Sequence, residues 1–271
     1  MKVRRIAGAL GAEIEAVDLA AGLSPDAVAE IRRAFLEHQV IFFHDQRLTP
    51  AQFMAFAQHM GKPIEYPFVK GIEGFPKVIE VKKLEHERQN FGGIWHSDTA
   101  YLAEPPMGSM LLAREVPPYG GDTEFASQYA AYEALSESMR RLLDDLKAVN
   151  ASSKADATRT REDLTRQKEI VAEYVAEHPV VRTHPETGRK ALYVNVGHTV
   201  RFSGMTEEES APLLAFLFRH QVRPEFTCRF QWRAGSLAFW DNRCTQHNPV
   251  NDYHGHRRVM HRITLAGDRP R

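Results

Sequence analysis

Residues 12–19 (AEIEAVDL) alternate apolar and polar side chains with the period of two expected of a half-buried strand. Ser24-Pro25 follows as a helix start, an N-cap serine with proline at the first helical position, and Val28, Ile31 and Phe35 supply one inward stripe. Val40-Ile41-Phe42-Phe43 reads as a buried strand. Thr49-Pro50-Ala51-Gln52 repeats the start signal with Gln52 placed to complete a capping box; Phe53, Phe56 and Met60 form the stripe and Gly61 the stop. The first quarter of the chain is mixed α and β.

From Val78 the pattern changes. Short apolar runs at 78–81, 110–116, 180–183, 191–195, 226–232 and 236–240 are split by turn residues, which predicts an antiparallel barrel or double-sheet jelly roll. His184-Pro185-Glu186-Thr187-Gly188 separates two of these runs and predicts a hairpin turn. Helices are expected over 129–146 and from Thr206, whose capping box with Glu209 precedes Leu213, Leu214 and Leu217. Residues 151–167 (ASSKADATRTREDLTRQ) hold almost no large apolar side chain and cannot pack as core. A solvated loop or a lid is expected there, within an insert near 151–176.

Composition narrows the partners. The 271 residues are 43% hydrophobic and 26% charged, enough for one domain over 1–271 carrying insertions. Lys plus Arg equals Asp plus Glu at 35 each, so no surplus of positive charge is available for nucleic acid or anionic lipid, and neither is expected as a partner. No run approaches the ~20 apolar residues of a membrane span, which makes the cytoplasm the expected compartment. Cys228 and Cys244 are too few for a disulfide framework and lack C-x-x-C spacing. A small molecule and a second copy of the chain are the expected partners.

The thirteen histidines point to metal chemistry. In Trp95-His96-Ser97-Asp98, residues two apart on an extended segment face the same side, so imidazole and carboxylate can grip one ion. The third-ligand candidate is His247, at the end of Trp240-Asp241-Asn242-Arg243-Cys244-Thr245-Gln246-His247. His254 and His256 compete from a turn-like stretch beside Gly255, and His261 competes as a core or supporting histidine. Two histidines and one carboxylate leave three octahedral positions open, the arrangement of non-haem iron(II) enzymes that take a bidentate cosubstrate and then dioxygen. Arg257-Arg258 follows the turn and should begin the next antiparallel strand, returning a guanidinium beside His247. A 2-oxo acid that chelates iron needs a cation for its distal carboxylate, and arginine supplies two parallel hydrogen bonds, with Arg258 the choice. A zinc hydrolase gives no reason for that arginine.

With these residues in view, the chain resembles the taurine dioxygenase and 2,4-dichlorophenoxyacetate dioxygenase family of 2-oxoglutarate-dependent oxygenases. The resemblance runs from Leu10-Gly11-Ala12-Glu13-Ile14 to Gly267-Asp268-Arg269-Pro270, and is most specific in WHSDTAY (95–101), PPMGSMLLAREVPPYGGDTEFAS (105–127), THPETGRKALYVN (183–195) and WDNRCTQHNPVNDY with RRVMHR (240–262). It implies a mostly β fold with flanking helices, a double-stranded β-helix of the jelly-roll, cupin-like kind. It implies iron(II) held by His96, Asp98 and His247 as the catalytic centre, and 2-oxoglutarate and dioxygen as cosubstrates. Thr123 and Arg258 would bind the distal carboxylate of 2-oxoglutarate, and Arg262 the anionic group of the substrate or the cosubstrate. The implied reaction hydroxylates a carbon next to a heteroatom of a small organic anion, releasing succinate and carbon dioxide.

Departures from the taurine pattern bear on the substrate. Tyr66 stands where taurine enzymes carry a sulfonate-binding histidine, and Phe91-Gly92-Gly93-Ile94 stands where an asparagine is expected before the H-x-D motif. A bulkier, less polar substrate is expected, an aryloxyalkanoate-like carboxylate offered to Arg262, with Tyr66, Val69, Ile94, Tyr101 and His198 around its ring. A sulfonate or alkyl sulfate is the alternative. From another class, a cupin-like metal- or ligand-binding protein would keep the three metal ligands without turnover.

Overall fold

In the computed structural model, which describes residues 1–67, 69–90, 92–154 and 174–271, the first two helices start on the predicted caps. Ser24 Oγ accepts from the Ala27 N–H to open Pro25–His38 (α1), and the reciprocal Thr49–Gln52 capping box opens Pro50–Met60 (α2). The early strands are Lys2–Arg5 (β1), Ala12–Glu15 (β2), Val40–Phe43 (β3), Pro63–Ile64 (β4), Gly71–Ile72 (β5), Phe75–Lys83 (β6), Gly108–Glu115 (β7) and Thr123–Ser127 (β8). Gln128–Glu133 (α3) and Glu137–Asp144 (α4) precede Lys147–Ala151 (β9), Val175–Pro179 (β10), Val181–Thr183 (β11), Lys190–Leu192 (β12) and Thr199–Phe202 (β13). Glu207–His220 (α5) leads into Thr227–Phe230 (β14), Leu237–Asp241 (β15), Thr245–Pro249 (β16) and Arg258–Leu265 (β17).

The larger sheet runs β1-β2-β3-β15-β7-β17-β6-β5, with β4 also paired to β17. Its pairs are antiparallel apart from β2 with β3. Across from it lies β14-β8-β16. Side-chain alternation along β3 shows why that strand is apolar throughout. Ile41 and Phe43 join Ile31, Phe35, Phe53 and Phe56 beneath α1 and α2, whereas Val40 and Phe42 join Phe125, Phe230, Trp240 and Met260 between the two sheets. The result is a jelly roll with helices packed on its outer face. A further core, with Leu143, Val180, Leu192, Phe202, Leu214 and Leu217, lies among α4, α5 and the small sheets β10-β9-β13 and β11-β12.

Two expectations need correction. The strand over 12–19 ends at Glu15, because Ala16 takes a left-handed φ of 57°. The single helix over 129–146 is two, since Ser136 leaves helical geometry and caps α4 by accepting from the Met139 N–H. The ends of the insert near 151–176 are ordered strand, with Ala151 paired to Val175 across β9 and β10; the remainder of that expected loop or lid lies outside the described residues. The hairpin at 184–188 forms as predicted, joining β11 to β12. Among the described residues, no helix is long and apolar enough to cross a membrane.

Candidate active site

Two backbone hydrogen bonds bring the predicted ligands together. The His96 N–H donates to the His247 carbonyl at 3.1 Å and the His247 N–H returns one to the His96 carbonyl at 2.9 Å, an isolated bridge between the H-x-D loop and β16. It holds the imidazole centroids 4.2 Å apart. His96 Nδ1 lies 2.7 Å from the Ile94 carbonyl, which accepts only from a protonated nitrogen, so Nε2 is the ring nitrogen left for a ligand. Nε2 of His96 and Nε2 of His247 both face Asp98 Oδ1, at 3.6 and 3.7 Å. These separations are too long for good hydrogen bonds. Just past Asp98, Thr99 adopts a φ of 42°, a strained conformation for a β-branched residue.

Electrostatics leave the triad rich in acceptors. Burial would raise the Asp98 carboxyl, but Arg262, then His247 and His96, outweigh it and hold the group well below the usual carboxylate range. Burial, then His96, keeps His247 neutral, well below the usual histidine range. Two imidazoles and one carboxylate therefore bring their ligand atoms within 4.8 Å of one another. That donor set fits a divalent transition metal.

A cavity opens beside the histidines, bounded by Leu111, Thr123, Trp232, Trp240, Arg258 and Arg262 among others. Arg258 and Arg262, four apart on β17, face into it together, as the period of a strand requires. Arg258 is buried and stacks its guanidinium 5.6 Å from the Trp232 ring, yet its Nε and Nη2 have no hydrogen-bond partner. Burial draws its pKa down. Thr123 Oγ1 accepts from the Trp232 indole N–H at 2.9 Å, leaving its own proton to donate. Arg257, its neighbour, turns outward toward Glu115.

Arg262 already has partners within the protein. Its Nη2 forms an ion pair with Asp98 Oδ2 at 2.8 Å and donates to Ser109 Oγ at 3.2 Å, and its guanidinium lies 5.1 Å from the Tyr66 ring. Tyr66 hydrogen-bonds Tyr101, whose ring meets His198 edge-on at 4.9 Å; His198 is in turn 6.0 Å from the His96 ring. Thus Tyr66, Tyr101 and His198 gather around Arg262 and His96, and neither they nor buried Val69 line the cavity. Of the competing histidines, His254 is exposed, His256 contacts Tyr119, and His261 accepts from Arg114 on the outer side of β17.

A second buried group, His184, Asp241 and Cys244, has ligand atoms close enough for an ion, but its hydrogen bonds exclude one. His184 Nδ1 accepts from the N–H groups of Glu186 and Thr187, so Nε2 is the protonated nitrogen and donates to Asp241 at 3.0 Å. Arg243 already neutralises Asp241 through two bonds of 2.8 and 2.7 Å, and donates to Glu186 at 2.7 Å. This network braces the turn from β15 to β16, and with it His247.

Sequence reasoning missed Trp232, Ser109 and Asn242. A lone hydroxyl within Gly108-Ser109-Met110-Leu111-Leu112-Ala113, at the same parity as cavity-facing Leu111, was the available signal for Ser109.

The profile of the family described as "Taurine catabolism dioxygenase TauD, TfdA family" matches residues 2–264. An alpha-ketoglutarate-dependent sulfate ester dioxygenase of Pseudomonas putida is 37% identical over 100% of the chain and 91% of its own length. An alpha-ketoglutarate-dependent 2,4-dichlorophenoxyacetate dioxygenase of Cupriavidus pinatubonensis is 31% identical over 95% and 94%. The crystal structure of AAD-2 with Mn(II) and N-oxalylglycine superposes with a TM-score of 0.83 at 30% identity, covering 99% of this chain and 98% of the other.

Proposed function

Because the chain belongs to the TauD, TfdA family of 2-oxoglutarate-dependent dioxygenases, we propose that His96, Asp98 and His247 hold its iron(II) and that the cavity beside them takes 2-oxoglutarate. Iron with 2-oxoglutarate and dioxygen supplies the oxidant that hydroxylates a substrate carbon, with release of succinate and carbon dioxide. The protein's part is to hold, orient and exclude water. The single observation that carries the reading is the pairing of the His96, Asp98 and His247 cluster with Arg258, a buried guanidinium whose Nε and Nη2 lack partners. An unpaired buried cation is unfavourable alone, and a carboxylate in the same cavity satisfies it. Thr123 donates its hydroxyl to the same carboxylate, and the walls of Trp232 and Trp240 keep water from it.

The substrate is a small organic anion attacked at a carbon next to a heteroatom. Arg262 is the cation nearest the metal ligands, and its free Nε is available to the substrate's anionic group. Tyr66, Tyr101 and His198 lie on that side. Sulfate esters and sulfonates are favoured by the 37% identity to the sulfate ester enzyme, and aryloxyalkanoates by the 31% identity to the 2,4-dichlorophenoxyacetate enzyme together with Tyr66.

The test is succinate release from 2-oxoglutarate with a panel of sulfate esters, sulfonates and aryloxyalkanoates. Turnover is expected only with iron(II) and oxygen, and is lost in His96→Ala and Asp98→Ala. Activity that survives metal chelation would sink the proposal. Binding of 2-oxoglutarate without succinate from any substrate would instead favour a non-catalytic ligand-binding protein.

A further inference from the structure

Asp98 has two carboxylate oxygens, and the structure treats them differently. Oδ1 faces the two imidazoles, while Oδ2 accepts from Ser109 Oγ at 2.7 Å and forms an ion pair with Arg262 Nη2 at 2.8 Å. Ser109 is fully buried on β7 and directly opposite Trp240 in the sheet register. Its hydroxyl is saturated: it donates to Asp98 and accepts from Asn242 Nδ2 at 3.2 Å and Arg262 Nη2 at 3.2 Å. Asn242 is equally constrained, its Oδ1 accepting from the Trp240 indole N–H at 3.0 Å and facing the Asp98 N–H at 3.4 Å. The Asn242 backbone carbonyl also accepts from Ser97 Oγ at 2.7 Å, between the two ligands of the H-x-D tripeptide.

From this chain of contacts we infer that Ser109, aligned by Asn242, is a positioning residue that turns the Asp98 carboxylate so that one oxygen alone is left for the metal. The chemistry of the open site requires it. A carboxylate free to rotate could give both oxygens to the ion and fill a position that the bidentate cosubstrate or dioxygen needs. With Oδ2 held by a hydroxyl and faced by a guanidinium, that rotation breaks a buried, charge-assisted hydrogen bond and pulls apart a buried ion pair. Ser109 also joins the metal's carboxylate to Arg262, so one hydroxyl aligns a metal ligand and the candidate substrate arginine.

The inference rests on the metal-site reading above, and the experiment separates the two. Apoprotein is titrated with Mn(II), and the visible spectrum of the Co(II)-substituted protein is recorded, for wild type, Ser109→Ala, Ser109→Thr and Asn242→Ala. Ser109→Ala is expected to weaken Mn(II) binding by about tenfold or more and to change the Co(II) spectrum. Ser109→Thr, which keeps the hydroxyl, restores both, and Asn242→Ala shifts both in the same direction as Ser109→Ala. Mn(II) affinity in folded Ser109→Ala within twofold of wild type, with an unchanged Co(II) spectrum, overturns the inference. If Ser109→Ala does not fold, Asn242→Ala decides by the same criteria. A wild-type protein that binds neither ion overturns the metal-site reading itself.

Discussion

Arg262 and Asp98 form an ion pair of 2.8 Å in which both side chains are at least 95% buried, and the same carboxylate faces the two candidate iron-binding imidazoles. Removing the guanidinium leaves an uncompensated buried charge, which destabilises a protein by about 3–5 kcal/mol. A bound cation offsets that loss. Arg262→Leu is therefore expected to lower the melting temperature strongly in EDTA and much less with saturating Mn(II). Equal losses under both conditions would show that the ion does not reach Asp98.

Arg258 predicts the opposite behaviour. Its guanidinium has two unpartnered nitrogens, so replacing it with an apolar side chain removes a desolvation penalty. Arg258→Met is expected to melt no lower than wild type without ligands. It should also lose the stabilisation that 2-oxoglutarate gives the wild type with Mn(II), about 2.7 kcal/mol at a hundredfold excess over Kd. A variant still stabilised by 2-oxoglutarate to the wild-type extent would mean that the cosubstrate binds elsewhere.

Thr123 offers a finer test of the same pocket. Thr123→Val keeps the shape but leaves the Trp232 indole N–H without its acceptor, a loss of about 1–3 kcal/mol. The expected result is a KM for 2-oxoglutarate raised several-fold to a hundredfold with a smaller change in kcat. Unchanged kinetics would remove Thr123 from the cosubstrate site.

Asp241 makes stability depend on acid. Burial pushes its carboxyl up, but Arg243 and His184 outweigh burial and hold it below the usual carboxylate range. A depressed folded pKa contributes stability that is present above the unfolded value of about 3.9 and is lost as pH falls through the folded one. Asp241→Asn is expected to be less stable at pH 7, by about 3–5 kcal/mol, and to lose less than wild type between about pH 4 and pH 2. Urea unfolding across that range measures it, and parallel pH profiles would exclude Asp241 as the source.

Helix starts were readable because a cap is a contract among neighbours. Ser24, Thr49 and Thr206 each satisfy an N–H three residues on, so a stretch of four residues contains the whole interaction. The same locality hid the break at Ser136, where two short helices share one apolar pattern. Strand positions followed from alternation. Their pairing did not, since β3 meets β15 across nearly two hundred residues and register depends on which faces are buried.

The candidate site divides along the same line. Sequence by itself determined that His96 and Asp98 share a side and that Arg258 and Arg262 share a strand face, because two-residue periodicity settles both. Only the tertiary structure decided that His247, rather than His254, His256 or His261, meets them, because the bridge to His96 joins segments about 150 residues apart. It also decided that Arg262 lies on Asp98 while Arg258 keeps unpartnered nitrogens. A side chain's type sets what it can donate or accept. Which partner it finds depends on strand register and packing, so the lone hydroxyl of Ser109 meets Asp98 only once β7 lies beside β15 and the H-x-D loop folds over it.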